Sequence, residues 1–228
     1  MSKKPNLKII ILCGGKGERL HPLTNDIPKP LLQIKGKPIL SYIIEHLFYY
    51  NLYELIITIG YKSKKISDFI ASEYPTSCFR LIDSGEVDII RRIQDSLDYI
   101  DEDFMVLYGD TLSDVPILEL IKHHKLNERP ATMTVWPLRS QFGIVELDKA
   151  DNVLGFKEKP KLDKWINIGY FYFKQEMKEL IQKYDSYAEF LRILAEKGLL
   201  NAYKHNGIHI TVNTIKELAD AEKNIERI

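Results

Sequence analysis

The amino-acid sequence predicts an α/β fold with a doubly wound, mostly parallel, Rossmann-like sheet and a small antiparallel extension. A nearly all-apolar, β-branched run at 7–12 stops at two glycines, as is typical of a strand buried on both faces of a parallel sheet. Similar runs alternate with helical patterns through the first half of the chain, which favours right-handed crossovers. After residue 126 several strand patterns follow one another without a helix, which predicts the antiparallel part.

The spacing of apolar residues gives the elements in order. Strands are predicted at 7–12, 54–59, 79–82, 104–108, 131–136, 142–147, 153–156, 166–173 and 201–205. Helices are predicted at 38–50, 63–72, 88–97, 116–126, 176–183, 187–197 and from about 214. Pro38 suits the first turn of its helix, and the polar stretch 148–152 separates two strands as a turn.

Length and charge limit the classes of function. With 228 residues and no linker-like segment, the chain is expected to form a single domain, 1–228. Lysine and arginine number 32 and aspartate and glutamate also 32, so no net field attracts nucleic acid or a membrane. The two cysteines show no disulfide or metal spacing. The first apolar run has about six residues against the roughly 18 that span a bilayer, which predicts a soluble cytoplasmic protein.

A glycine-rich segment directly follows the first predicted strand. Gly14, Gly15 and Gly17 would let backbone N–H groups approach phosphate oxygens, and Arg19 adds a forked cation. A tight turn without a ligand is the competing interpretation. A dinucleotide fingerprint would need a third glycine where the chain has Leu20, which disfavours a nicotinamide-dependent oxidoreductase.

Two further short motifs carry charges that suit phosphate chemistry. Two prolines stiffen the backbone around Lys29, so this lysine can act as a placed charge for a polyphosphate. Gly109 and Asp110 close the predicted strand at 104–108, which places a carboxylate at the edge of the sheet where open α/β folds bind ligands. Asp110 is therefore a candidate Mg²⁺ ligand, although an ordinary turn also explains the pair. Gly36-Lys37 precedes a proline and so does not complete a Walker A loop.

Taken together, the glycine segment, the Pro-Lys-Pro motif at 28–30 and the Gly-Lys-Pro-Ile motif at 36–39 resemble the opening of the sugar-phosphate nucleotidyltransferases, also called nucleotide-sugar pyrophosphorylases. The resemblance implies an enzyme that transfers an NMP unit from an NTP to a phosphorylated small molecule, releasing pyrophosphate. It implies that Arg19 and Lys29 neutralise the NTP phosphates and that Asp110 serves Mg²⁺. The residues that it assigns to the nucleotide are Leu12, Gly14, Gly15, Gly17, Asp83, Ser84 and Gly85.

The resemblance extends into the second half of the chain. It divides the domain into a nucleotide-binding half, about 1–115, and an acceptor-binding half, about 116–228. A Glu-Lys-Pro element and an Asn-x-Gly element match the family's acceptor-binding motifs. The acceptor residues implied in this way are Gly143, Glu158, Lys159 and Asn167. Within the family, the motifs are most similar to those of the glucose-1-phosphate cytidylyltransferases, so CTP is the expected nucleotide and a sugar 1-phosphate the expected acceptor.

Two departures leave alternatives open. Val87 and Asp88 follow where those cytidylyltransferases have a Thr-Gly-Gly-Arg stretch, so GTP, UTP or dTTP, or a non-sugar acceptor such as phosphocholine, remain candidates. Asn213 stands where many relatives have an aspartate that is a second Mg²⁺ ligand. Asn213 is predicted as a metal ligand, with the N-cap of the last helix as the alternative. This substitution also leaves open a nucleotide-binding regulatory paralogue, and the motifs are compatible with a homo-oligomer.

Overall fold

The computed structural model describes residues 7–75 and 78–227. This part of the chain contains the strands β1 Lys8–Leu12, β2 Gln33–Ile34, β3 Lys37–Pro38, β4 Leu55–Ile59, β5 Phe79–Asp83, β6 Phe104–Tyr108, β7 Thr111–Ser113, β8 Ala131–Arg139, β9 Ile144–Leu147, β10 Val153–Lys157, β11 Lys161–Phe173, β12 Leu200–Lys204 and β13 His209–Thr211. The helices are α1 Ile39–Tyr49, α2 Ser63–Glu73, α3 Ile89–Ser96, α4 Ile117–Lys125, α5 Met177–Ile181, α6 Tyr187–Glu196 and α7 Ile215–Asn224.

The main sheet has seven strands in the order β12-β8-β11-β6-β1-β4-β5. Neighbouring strands run parallel except at β11, which is antiparallel to both β6 and β8. The predicted α/β class, with a mostly parallel sheet and small antiparallel hairpins, is therefore confirmed. The strand order reverses at β1, because β4 and then β5 are added on one side of it and β6 on the other.

Side chains of the central strands alternate between two hydrophobic cores. Ile9 and Ile11 belong to the core that packs against α1, α2, α4 and α7. Ile10 belongs to the core on the other face, with residues of α3, α5 and α6. All three isoleucines have no exposed surface. A strand flanked by helices on both faces must be apolar at every position, which is why the run at 7–12 shows no alternation.

Four short strands, β2, β3, β7 and β13, were absent from the sequence-based prediction. β7 and β13 pair with each other antiparallel, outside the main sheet, with Thr111 opposite Thr211. Each has only three residues, too few for a periodic pattern to stand out. The strand predicted at 142–147 begins at 144, and the one predicted at 166–173 begins five residues earlier, at 161. No helix in the described residues combines the length and apolarity needed to cross a membrane.

The last helix, α7, begins with a side-chain cap that corrects one alternative from the sequence. Its N-cap is Thr214, whose hydroxyl accepts a hydrogen bond from the N–H of Glu217 at 3.2 Å. The Glu217 carboxylate in turn accepts from the N–H of Asn213 at 2.6 Å. Asn213 is thus the residue before the cap, and its side chain is available for other contacts.

We expect Thr214→Ala to lower the free energy of unfolding by about 1 kcal/mol, because the N–H of Glu217 loses its acceptor. In a chain of this size that corresponds to a fall in Tm of roughly 2–4 °C. Thermal and denaturant unfolding of Thr214→Ala and Asn213→Ala measure both effects. Asn213→Ala should cost less, and equal or reversed losses would return the capping role to Asn213.

Candidate active site

The candidate site lies where β1 and β6 end side by side. The two strands are parallel, and their last residues, Leu12 and Tyr108, are direct partners. The glycine segment that follows β1 and the Gly109-Asp110 pair that follows β6 therefore leave the sheet at the same edge. This is the point at which the strand order reverses around β1, and open α/β sheets bind ligands at such a switch point.

The backbone of the glycine segment is held from behind by Arg92. The guanidinium of this buried side chain donates to the carbonyl oxygens of Gly14 at 3.0 Å and Ile59 at 3.3 Å. A Cβ at residue 14 would lie 1.6 Å from an Arg92 nitrogen, so any larger residue there would displace the guanidinium. Burial lowers the pKa of Arg92, and the nearby Asp83 is among the charges that oppose this shift.

Gly17 shapes the other end of the segment. Its φ of 66° is in the left-handed region, and the turn Glu18–Leu20 starts directly after it. The Thr24 hydroxyl donates to the Gly17 carbonyl oxygen at 3.0 Å. The Tyr61 hydroxyl, from the loop after β4, donates to the Thr24 carbonyl oxygen at 2.9 Å. The segment is therefore fixed by contacts with two other loops before any ligand binds.

Four of the predicted residues meet in one cluster. The Lys29 ammonium donates to the Asp110 carboxylate at 2.5 Å and to the Asn213 amide oxygen at 3.0 Å. The same amide oxygen accepts from the Arg19 guanidinium at 3.1 Å. Lys29 is only 8% exposed, whereas the Asp110 side chain is 36% exposed. A nearly buried cation thus holds two oxygen ligands together at a position that solutes can reach.

The small β7–β13 pair explains why Asn213 joins this cluster. Asp110 directly precedes β7, and Asn213 follows β13 by two residues. Because Thr111 and Thr211 are opposite each other, residues more than 100 positions apart in the chain are brought together. The antiparallel pairing of β7 with β13 therefore places Asn213 beside Asp110.

The cluster opens into a cleft of about 1830 Å³. Most residues predicted for the site line it, namely Leu12, Gly14, Gly15, Gly17, Arg19, Lys29, Asp110, Lys159, Asn167 and Asn213. The other predicted residues, Asp83, Ser84, Gly85, Gly143 and Glu158, are not among its lining residues. In the segment after β5 the lining is supplied instead by Val87, Asp88 and Ile89. Gly143 lies against the Phe156 ring outside the cleft.

Asn167 is held in place at the far side of the cleft. Its amide nitrogen donates to the Tyr108 hydroxyl at 3.1 Å, and its amide oxygen accepts from the N–H of Gly169 at 2.8 Å. The pKa of Tyr108 is raised, mainly by burial, so the phenol stays protonated at neutral pH. Lys159 lies at the mouth, with its ammonium 3.8 Å from the Glu158 carboxylate. Both side chains of that pair are exposed, so the contact leaves Lys159 free to bind another anion.

Several lining residues were not identified from the sequence. Arg139 and Lys161 add two cations on the same side as Lys159. Trp136 and His209 contact each other with ring centroids 5.4 Å apart. Burial lowers the pKa of His209 to about 4, so its imidazole is neutral at physiological pH. Arg139 and Lys161 are paired across β8 and β11, and no sequence pattern indicated that register.

The oxygen atoms around the Lys29 ammonium suit a hard divalent cation as ligands. Asp110 supplies a carboxylate and Asn213 an amide oxygen, and both lie within 3.0 Å of the same ammonium. Mg²⁺ prefers such oxygen ligands and commonly keeps most of its coordination for phosphates and water. Among the described residues no group of three or more histidine, cysteine, aspartate or glutamate side chains could hold an ion. These two residues therefore fit a metal that is shared with a phosphate ligand.

Comparison with known proteins agrees with this geometry. The model of a family described as nucleotidyl transferase matches residues 8–223. A probable glucose-1-phosphate cytidylyltransferase from Bacillus subtilis is 35% identical, with 95% of each chain covered. A D-glycero-alpha-D-manno-heptose 1-phosphate guanylyltransferase from Campylobacter jejuni is 30% identical, with 82% of this chain and 85% of the relative covered.

A solved structure has the same fold. HddC from Yersinia pseudotuberculosis, complexed with GMP-PN, superposes with a TM-score of 0.74 at 22% identity, covering 96% of this chain and 99% of that one. The family match spans nearly the whole chain, including the loop after β1, the end of β6 and the strands that bring Asn213 to Asp110. The chain therefore belongs to the nucleotidyl transferase family.

Proposed function

We propose that this protein transfers an NMP unit, with CMP preferred, from an NTP to a sugar 1-phosphate and releases pyrophosphate. One observation supports the proposal: a single cleft is lined by the glycine segment, by Arg19 and Lys29, and also by a separate cation, Lys159. Two anion sites in one cleft suit a reaction between two phosphorylated substrates. The Bacillus and Campylobacter relatives are both named for sugar 1-phosphate acceptors, which supports this choice of acceptor.

In the proposed reaction an ionised oxygen of the acceptor phosphate forms a bond to the α-phosphorus of the NTP. The bond from that phosphorus to the oxygen bridging it to the β-phosphorus breaks, and pyrophosphate leaves with the electron pair. No general base is needed, because the attacking oxygen is already deprotonated. The main obstacle is repulsion between two anions, so catalysis depends on positioning and on placed positive charge.

The chain's own residues have distinct roles in this scheme. Arg19 and Lys29 bind the phosphates that depart as pyrophosphate, and Lys159 binds the acceptor phosphate. Asp110 and Asn213 would hold Mg²⁺, which would supply charge neutralisation at the α-phosphate. Lys29 links the residues of this set, because its ammonium contacts both predicted metal ligands. Phosphate oxygens are negatively charged, as the Asp110 carboxylate is, so the Lys29 ammonium can bind them instead.

The base of the nucleotide is the least constrained part of the proposal. CTP is preferred because the motifs are most similar to those of cytidylyltransferases, and the Bacillus relative carries that name. The Campylobacter relative is named for a guanylyltransferase at 30% identity, so GTP is the first alternative. UTP, dTTP and a phosphocholine acceptor remain further alternatives.

We further propose that both halves of the chain act as one domain in the cytoplasm.

A regulatory paralogue with little turnover is the second candidate function. Asn213 favours it, because an amide oxygen leaves the predicted metal site one negative charge short of an aspartate pair. The cleft argues for the enzyme, since Arg19, Lys29 and Asp110 all line it together with Lys159. A regulatory subunit would need the nucleotide site without a second anion site.

The direct test is pyrophosphate release from CTP, GTP, UTP and dTTP with Mg²⁺ and a panel of sugar 1-phosphates and phosphocholine. We expect release that depends on an acceptor, fastest with CTP and a sugar 1-phosphate, because the two anion sites are occupied together. Release without an acceptor would contradict group transfer. Nucleotide binding without release across the whole panel would instead identify the regulatory paralogue.

A pair of neighbouring lysines tests the acceptor site. Lys159→Ala should raise the acceptor KM roughly tenfold or more while changing the NTP KM little, because a charge-assisted contact of about 1.5–3 kcal/mol is lost. Lys157→Ala is the matched control, since Lys157 forms an exposed ion pair with Glu146 at 2.7 Å and is not a lining residue of the cleft.

Steady-state kinetics with each substrate varied in turn measures both lysine variants. Lys157→Ala should keep both KM values. If the two variants shift the acceptor KM equally, or if Lys159→Ala weakens both substrates equally, the assignment of Lys159 to the acceptor phosphate is wrong.

A further inference from the structure

The side chain of Asp88 uses one carboxylate oxygen and keeps the other free. Asp88 is the N-cap of α3, and one side-chain oxygen accepts a hydrogen bond from the N–H of Ile90 at 2.9 Å. This bond fixes the orientation of the side chain, because a capping oxygen must stay close to the first turn of its helix. Within the described residues, no hydrogen-bond donor or cation pairs with the second oxygen. Asp88 is exposed and lines the cleft.

The strand order places Asp88 on the side of the cleft away from the acceptor and the metal ligands. Asp110 follows β6, and Lys159 precedes β11, which is the next strand on the same side of β1. Because β11 is antiparallel to β6, it begins at the edge where β6 ends. Asp88 follows β5, on the other side of β1. A nucleotide with its phosphates near Asp110 therefore has room for its base on the side of Asp88.

The segment that contains Asp88 is tied to the glycine segment and has apolar residues next to the carboxylate. Glu86 forms an ion pair with Lys16 at 2.8 Å, which joins the two segments. Val87 and Ile89, on either side of Asp88 in the chain, also line the cleft. Apolar side chains with one polar group among them suit a flat heteroaromatic ring, whose faces are apolar and whose edge is polar. This wall of the cleft therefore suits a nucleotide base.

A carboxylate distinguishes the bases by their amino groups. It offers only acceptors, so it pairs with the N4 amino group of cytosine and not with the O4 oxygen of uracil or thymine. The ring N3–H of uracil is a donor, but it stands between two carbonyl oxygens that would both face the carboxylate. Guanine and adenine also carry donors on this kind of edge, so a carboxylate here disfavours UTP and dTTP rather than purines.

We propose that Asp88 determines the choice of base, accepting a hydrogen bond from an exocyclic amino group and thereby favouring CTP over UTP. The inference rests on the proposed function, since it takes the ligand of the cleft to be an NTP. It goes further by assigning the choice of base to one carboxylate. The capping role does not require that carboxylate, because asparagine and serine cap helices about as well as aspartate.

Substitutions that keep the helix cap test the carboxylate separately. In Asp88→Asn the amide oxygen can cap α3 while the amide nitrogen donates to the cleft, and in Asp88→Ser the hydroxyl can cap it. Titration calorimetry with Mg²⁺ and without an acceptor measures the affinities for CTP and UTP. The wild type should bind CTP at least about tenfold more tightly than UTP, and both variants should lose most of that preference. Asp88→Asn should also bind UTP more tightly than the wild type, because its amide can donate to O4.

The matched control is Asp95→Asn. It makes the same chemical change on the same helix, but Asp95 pairs with Arg91 at 2.9 Å and is not a lining residue of the cleft. This variant should keep the wild-type preference for CTP. The thermal midpoints of both Asp88 variants should stay close to that of the wild type, since each keeps a capping group. If one of them does not fold, the other decides.

Equal affinity of the wild type for CTP and UTP would overturn the inference. An unchanged preference in the Asp88 variants would do the same and reduce Asp88 to a helix cap. Selective binding of CTP that is lost in these variants, with no pyrophosphate release for any acceptor, would contradict the proposed function and support the choice of base by Asp88. Failure to bind any nucleotide would contradict both.

Discussion

The parallel pairing of β1 with β6 is the constraint on which the site depends. It is made by apolar strands that are buried on both faces, so its register is fixed by two cores at once. With Leu12 beside Tyr108, the glycine segment and Asp110 must leave the sheet together. The chemistry of the cleft is then placed by packing that involves none of the reacting groups.

A second level of organisation lies in the loops at this edge. Arg92 fixes the glycine segment from below through the carbonyl oxygen of Gly14, and Lys29 links Asp110 to Asn213 from the side. Both cations are nearly buried and both donate to oxygen. Such contacts order the loops before substrates arrive, which reduces the entropy lost on binding. They also concentrate positive charge where a polyphosphate would lie.

Much of the fold could be predicted because apolar periodicity reports burial, and the strands of the parallel half end within one or two residues of their predicted bounds. The same reasoning brought Arg19, Lys29 and Asp110 to one edge of the sheet. Apolar periodicity could not place Asn213 beside Asp110, since the β7–β13 pair has three residues in each strand and no pattern, and their shared metal role was predicted from the family resemblance alone. Nor could it find Arg139, which lines the cleft through a register between distant strands.

Charge is unevenly distributed within the cleft, and the proposed function depends on this asymmetry. Asp110 is the acidic group of the central cluster, and its carboxylate accepts hydrogen bonds from the Lys29 ammonium and from the Thr111 hydroxyl at 3.4 Å. A carboxylate held in this way by Lys29 has its negative charge neutralised until another cation competes for it. Metal and nucleotide are thus expected to bind together, with phosphate oxygens taking over the lysine as the metal takes over the carboxylate.

The most direct test of this account is the Mg²⁺ dependence of nucleotide affinity, measured by titration calorimetry without an acceptor, for the wild type and Asp110→Asn. The wild type should bind the NTP at least about tenfold more tightly with saturating Mg²⁺ than with a chelator, because the ion links Asp110 to the phosphates. Asp110→Asn should lose most of that difference while remaining folded. A variant that keeps the full Mg²⁺ effect would contradict the assignment of Asp110 and, with it, the organisation of the site.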